Sequence, residues 1–243
     1  MRFKLTMTSN KGFVDLPVNY NYFVQSAIYR NLSDELATFL HDKGYIINNR
    51  KFTLFVFSRL QGRYEYLPKL RKIRFYDPIQ LMISSPISQF AHDIAQILLN
   101  DGLVLNNELL KIESMEVSSP EIKENRVIVE SLSPVVANST LLRVDGKKYT
   151  LYFQPTEKDF QRIVIENLHK KAQIIFGNET KFEETILKTT GKYKKEVTKY
   201  KDTIITGYSG KFILEGDKNL LQTAIDAGIG SKNSMGYGYI NLI

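Results

Sequence analysis

The chain opens on a two-residue alternation. In "MRFKLTMTSN" the apolar residues Met1, Phe3, Leu5 and Met7 interleave with polar neighbours, which predicts a half-buried strand over 2–8. A helical region follows over 21–42, then strands over 52–58 and about 70–84. Between 87 and 100 the spacing changes to three and four: Ile87, Phe90, Ala91, Ile94, Ala95 and Leu98 share one helical face. Pro86 stands at the entrance of that helix, Asn100-Asp101-Gly102 closes it, and a strand over 103–118 completes this half. The second half gives strands near 126–132 and 148–153. It continues with a helix over 157–176 closed by Gly177, whose face carries Phe160, Ile163, Val164, Leu168 and Ala172. Strands near 183–190 and 204–215, a helix over 217–227 opened by Asp217, and a last strand over 236–243 finish the chain.

Each half therefore reads β-α-β-β-α-β, which predicts an α+β fold of tandem ferredoxin-like domains, residues 1–122 and 123–243, meeting near Pro120 to Asn125. The segment 126–153 fits least well, with two strand-like stretches where the pattern has one. A length of 243 residues suits one large domain or two small ones, at roughly 100–200 residues per domain. No low-complexity linker divides them, so close packing of the two is expected.

Composition removes several function classes. Apolar runs such as Leu54-Phe55-Val56-Phe57 fall far short of the ~18 residues that span a bilayer, and the N-terminus has no continuous apolar signal segment. A cytoplasmic protein with no membrane partner is expected. With no cysteine there is no disulfide, thiolate zinc site or cysteine nucleophile. His41, His92 and His169 stand more than fifty positions apart with no HExxH spacing, so neither a metal site nor a cofactor is expected. A carboxylate-only magnesium site, which assembles from distant positions, stays open. His92 and His169 fall off the apolar faces of their helices and read as surface residues.

The formal charge of +7 is concentrated. Residues 59–74 hold six Lys or Arg against Glu65, and 188–201, "KTTGKYKKEVTKYK", hold six lysines against Glu196. Both stretches interleave cations with tyrosines, Tyr64 and Tyr66 in one, Tyr193 and Tyr200 in the other, pairing phosphate neutralisation with a stacking surface. A polyanion partner is favoured over an acidic protein or a membrane surface.

One segment concentrates glycine: "AGIGSKNSMGYGYI", residues 227–240. It is not a dinucleotide fingerprint, because the third glycine is missing and the segment runs from helix to strand. No GxxxxGK[ST] occurs in the chain either. What remains is Gly228-x-Gly230-x5-Gly236-x-Gly238 with Ser231, Lys232, Asn233 and Ser234 at its apex, a backbone able to take positive φ and present N–H groups to a phosphate chain.

This loop, "GIGSKNSMGYG", resembles the C-terminal glycine motif G-φ-G-x5-G-φ-G of the CRISPR-associated endoribonucleases that cut repeat RNA, members of the repeat-associated mysterious protein superfamily. "LPVNYNYFVQSAIYRNLSDELATFLHDKGY" resembles that family's first helix, and "SLSPVVA" at 131–137 its second-domain entry strand. The resemblance covers the whole chain. It implies repeat RNA as partner, together with other subunits of a CRISPR effector complex and a homodimer. It implies RNA contacts from the glycine loop, and Lys192, Lys194 and Lys195 of the lysine-rich segment 188–201 are expected to grip the RNA. It also maps an active-site tyrosine, histidine and lysine onto Tyr29 in "SAIYRNL", His41 in "FLHDKGY" and Lys51 in "NNRKFTLF", with Arg50 a rival for the charge role.

The chemistry suits those types. RNA is cut without a metal when the ribose 2′-OH attacks the adjacent phosphorus, giving a 2′,3′-cyclic phosphate and a 5′-OH. One group must help take the 2′-OH proton, one must protonate the leaving 5′-oxygen, and positive charge must meet the phosphorane oxygens. Histidine suits proton transfer near neutrality and lysine the charge. In an unbroken helix Tyr29 and His41, twelve residues apart, would lie ~18 Å apart along the axis and about a third of a turn around it. A bend near Asn31 to Ser33, with Ser33 as a fresh N-cap, is therefore predicted. The competing functions are a guide-RNA-binding subunit that does not cut and, more distantly, a ferredoxin-like enzyme acting on a small molecule.

Overall fold

The computed structural model describes residues 1–99, 102–142, 144–177 and 184–243. Strand Arg2–Ser9 lies at the centre of the first sheet, antiparallel to Ile79–Ser84 on one side and to Glu108–Ser118 on the other. Val56–Phe57 and Leu103–Leu105 form the edges. The opening alternation is the reason: Phe3, Leu5 and Met7 all point into one core with Val24, Ala27 and Ile28 of α1 (Asn21–Arg30). Phe90, Ala91 and Ile94 of α3 (Ser88–Ala95) join them; α2 (Asp34–Thr38) lies between these helices in the chain.

The second sheet repeats the plan. Arg126–Ser131 is central, flanked by Thr203–Glu215 and Ile240–Leu242, with Ile186–Tyr200 on the outer side of Thr203–Glu215. α4 (Lys158–Phe176) and α5 (Lys218–Ala227) contribute Phe160, Val164, Leu168, Leu220, Leu221 and Ala224 to its core. Asp217 caps α5 as the sequence predicts, accepting from the N–H groups of Asn219 and Leu220. In both sheets the spatial order of the four principal strands is second, third, first, fourth. The chain is thus α+β with two ferredoxin-like domains.

Several elements differ from the sequence reading. The expected strand over 70–84 is two strands in two sheets. Lys72–Tyr76 pairs with Phe13–Pro17 and Tyr64–Leu67 in a separate three-stranded sheet, and only Ile79–Ser84 enters the domain sheet. Pro78, which has no N–H to donate, marks the break. The strand expected over 52–58 shrinks to Val56–Phe57, because Leu54 takes φ 52°. The surplus segment in 126–153 is an inserted hairpin, Asn138–Leu142 with Lys148–Tyr152, forming its own sheet. The basic segment is one long strand, Ile186–Tyr200, and the expected start near 183 lies outside the described residues. α3 passes into a 3-10 turn, Gln96–Leu99, and its predicted closure at Asn100-Asp101 also lies outside them.

The domains pack directly on each other. Asn21 Nδ2 donates to Met235 O at 2.9 Å, Ser133 Oγ to Phe57 O at 3.2 Å, and Arg2 Nη1 to Asn241 Oδ1 at 3.0 Å. Among the described residues no helix is long and apolar enough to cross a membrane.

Candidate active site

The break that the sequence predicts after Tyr29 is present. α1 ends at Arg30, Ser33 is extended with ψ 146°, and α2 begins at Asp34 and runs into a π-helical turn, Phe39–Lys43, that carries His41. Its fastening differs from the expected cap. The Ser33 hydroxyl makes no capping bond; it and the Ser33 N–H both donate to Asp93 Oδ2, at 2.9 and 2.8 Å. A buried carboxylate on α3 therefore sets the angle between the helices.

The fold brings Tyr29, His41 and Lys51 to one cleft of about 640 Å³, whose opposite wall is the loop apex Gly230–Ser234 with Asn167 and Lys171 of α4. Lys51 arrives on a tight hairpin, Tyr45–Ile47 with Arg50–Phe52, turned by Asn48 and Asn49 at φ 47° and 59°. Paired asparagines tolerate that conformation, so the turn had a signal in the sequence that the strand assignment missed.

His41 is largely exposed, at 80% of its side chain, and its Nδ1 lies 2.7 Å from Asp42 Oδ1. With Nδ1–H donated to that carboxylate, Nε2 is the nitrogen left to act on a substrate. The Lys51 ammonium donates to the His41 backbone carbonyl, which ties the hairpin to the π-helical turn. Tyr29 is half-buried, its ring edge-on to Phe55 at 5.7 Å, and burial pushes its phenol up to about 12. At neutral pH it is a hydrogen-bond donor and not a base. Arg50 is engaged across the cleft: its Nη1 donates to Asn167 Oδ1 at 2.7 Å, and Asn167 Nδ2 donates to Ser231 Oγ at 3.0 Å.

The glycines pack the loop against the protein. Gly228, Gly230, Gly236 and Gly238 all have φ between 71° and 84°, and each faces protein. A Cβ on Gly236 would meet Phe57 Cε2 at 2.5 Å, and one on Gly230 would meet Val136 O at 2.5 Å. All four glycines are buried. The Ser231 and Gly238 N–H groups are already donated to Val136 O and Pro134 O. Gly228 and Gly236 let the loop wedge against Val56 and Phe57 of the first domain, Gly230 and Gly238 close it on its own domain, and its apex is what reaches the cleft.

Lys171 holds the wedge. Its side chain is fully buried, with Nζ 2.8 Å from Gly228 O and 2.6 Å from Asn233 Oδ1, and Ala227 O and Gly230 O stand at 3.4 and 3.5 Å. Asn233 Nδ2 in turn donates to Ile229 O and Tyr237 O, both at 3.0 Å. Burial pushes the Lys171 ammonium down to about 7, and it also lowers Lys232 at the apex. Sequence reasoning missed Lys171 and Asn167, although both fall on the apolar stripe of α4 beside Val164 and Leu168, where a polar residue needs a reason.

Lys192, Lys194 and Lys195 do not line the cleft. They sit exposed along Ile186–Tyr200, a strand that reaches the cleft at Tyr200. His92 pairs with Gln96 on the surface as expected. His169 departs from the surface reading: it is half-buried, 3.1 Å from Thr185 Oγ1, and burial lowers its pKa. Among the described residues no three or more His, Cys, Asp and Glu side chains gather in a metal-holding group.

Comparison with known proteins shows the family. Residues 15–117 match the family model described as CRISPR-associated protein Cas6, N-terminal, and residues 117–242 the model for CRISPR associated protein Cas6, C-terminal. The chain is 28% identical over 247 residues to the CRISPR-associated endoribonuclease Cas6 1 of Methanocaldococcus jannaschii, covering 99% of this chain and 92% of that one. It is 26% identical over 235 residues to the CRISPR-associated endoribonuclease Cas6 of Pyrococcus furiosus, covering 93% and 83%. A solved structure of a Cas6-related gene from Pyrococcus furiosus superposes with a TM-score of 0.86 at 22% identity, over 100% of this chain and 98% of that one. The chain belongs to the CRISPR-associated Cas6 family.

Proposed function

We propose that this chain is an endoribonuclease that cuts CRISPR repeat RNA without a metal, leaving a 2′,3′-cyclic phosphate and a 5′-OH. The observation that carries the reading is the convergence of Tyr29, His41 and Lys51 in one cleft with Arg50 and Lys232. Two relatives named as endoribonucleases of this family support it.

The residues divide the work by their chemistry. The 2′-oxygen bonds to phosphorus as its proton leaves, and the bond to the 5′-oxygen breaks as that oxygen takes a proton. His41, with Nδ1 held by Asp42, offers Nε2 as the group that moves a proton. The neutral phenol of Tyr29 donates a hydrogen bond that keeps the 2′-oxygen or a phosphoryl oxygen in line with the bond being broken. Lys51, on the neighbouring hairpin, supplies a cation whose ammonium is tied to the His41 carbonyl, which holds charge and proton donor together. Lys232, from the facing loop, meets the other side of the phosphate. Incubating the chain with repeat RNA in EDTA and identifying the product ends tests this. Cyclic phosphate and 5′-OH ends are expected; 5′-phosphate ends, or loss of cleavage in EDTA, contradict it.

A further inference from the structure

One feature of the sequence has no place in the cleft: the basic, tyrosine-bearing stretch 63–72. The structure joins it to the cleft by a chain of contacts. Beside the cleft a second hollow of about 430 Å³ shares Tyr29, His41 and Gln25 with it and adds Tyr22 and Lys201. There the Lys201 ammonium lies 5.0 Å from the centre of the Tyr22 ring, whose side chain is partly exposed. Two residues back, the Lys199 N–H donates to Asn19 Oδ1 at 3.0 Å, and Val18 N–H donates to Arg71 O at 3.3 Å. Pro17 stands opposite Lys72 in the three-stranded sheet. So the loop 17–22 lies against the ends of both basic segments that the sequence singles out.

We infer that this seam is a track for the single-stranded RNA that extends from the cleft, running past Tyr22 and Lys201 to the hairpin carrying Tyr64, Tyr66, Lys69 and Arg71. The inference rests on the proposed RNA cleavage only for which strand enters the cleft. Tyr64, Tyr66 and Leu70 are 66%, 54% and 61% exposed, with Lys69 and Arg71 exposed beside them. Aromatic faces and cations alternating within a few residues suit a strand that offers bases and phosphates in alternation. Three carboxylates along the way are already engaged: Asp42, which lines the hollow, lies 2.7 Å from His41 Nδ1, Glu65 accepts from the Tyr76 hydroxyl at 2.9 Å, and Asp202 sits 3.8 Å from Lys199. An acidic protein would meet the same charges, but RNA held in the adjoining cleft presents its next nucleotides at high effective concentration.

The test compares two RNAs on the full chain: a four-nucleotide fragment around the cut, and the whole repeat. In the variant Lys69→Gln/Arg71→Gln both residues stay long and polar, and Arg71 keeps a non-glycine residue at its φ of 50°, so only charge is removed. The control removes two exposed lysines from the inserted hairpin, Lys147→Gln/Lys148→Gln. The track variant is expected to lose about tenfold in affinity for the whole repeat. Its salt slope should fall by about 1.4, the release expected for two single-strand phosphate contacts. Affinity for the fragment should stay within about twofold. Equal losses on both RNAs, an equal loss in the control, or no loss on the whole repeat each overturn the track. A wild-type chain that binds the whole repeat but does not cut it sinks the cleavage reading alone. One that binds neither RNA sinks both.

Discussion

Lys171→Met tests how the glycine loop is fastened, and its outcome depends on pH. In the folded chain burial holds the Lys171 ammonium down to about 7, against an ordinary value of 10.5. Below pH 7 the folded and unfolded chains both carry the proton, so the penalty of burying the charge is present in full. Between 7 and 10.5 the unfolded chain binds more protons than the folded one, and stability rises with pH by up to about 1.4 kcal/mol per unit. Across the whole window that is about 5 kcal/mol, of which about 2 kcal/mol falls between pH 7 and 9. Methionine fills much the same space without a titrating group. It also strands the oxygens of Gly228 and Asn233 that now accept from Nζ, at a cost of ~1–3 kcal/mol each, while relieving a buried charge that costs several kcal/mol. The stranded oxygens cost the same at every pH, whereas the charge penalty, absent from the variant, is the part of the wild type that fades as pH rises. The assay is urea unfolding of both proteins at pH 7, 8 and 9, reading the difference between them. Wild type should gain about 2 kcal/mol on the variant over that range. A difference that stays flat would mean that the four oxygens around Nζ compensate fully for burial, and would refute the argument.

Three further substitutions follow from the cleft and the loop, the last with a control elsewhere. His41→Ala should lower the single-turnover cleavage rate by about 10²–10⁴ while leaving the affinity for repeat RNA within a few-fold, since the imidazole moves a proton and grips little; equal losses in both would count against the assignment. Tyr29→Phe should slow cleavage by roughly ten- to a hundredfold. Because burial holds the phenol near 12, the wild-type pH–rate profile should show no limb below pH 9 that disappears in this variant. Gly236→Ala should destabilise by about 2–4 kcal/mol, from a φ of 84° and a Cβ driven into Phe57, whereas Gly191→Ala, with φ 76° and nothing within 4 Å, should cost about 1 kcal/mol. Thermal melts of the pair separate packing from backbone strain.

Local pattern carried the fold a long way, because the first domain's sheet is built around a strand whose alternation is plain and the helices show their apolar faces. Phe3, Leu5 and Met7 announce the first central strand, and the faces of α3 and α4 stand out at helical spacing. What pattern could not carry is partnership. Residues 70–84 look like one strand, and nothing local says that Lys72–Tyr76 and Ile79–Ser84 belong to different sheets. The candidate site divides in the same way. The distance between Tyr29 and His41 on a straight helix demanded a break, and the break is there, but its anchor is Asp93, sixty residues away. That the Lys51 ammonium reaches the carbonyl of His41 depends on a hairpin folding back. The glycine motif was legible as a motif; its packing against Phe57 and Val136 was not, because those contacts come from other parts of the chain. Lys171 was readable in principle, as a cation on an apolar stripe, and its partners were not.

The claim on which the account turns is that the RNA's own sugar hydroxyl breaks the chain. A repeat RNA carrying a single 2′-deoxyribose at the nucleotide just upstream of the cut, assayed in EDTA beside its all-ribose twin, measures that directly. The account expects the deoxy substrate to bind with unchanged affinity and to stay intact while the all-ribose strand is cut. Cleavage of the deoxy strand at the same bond would contradict it.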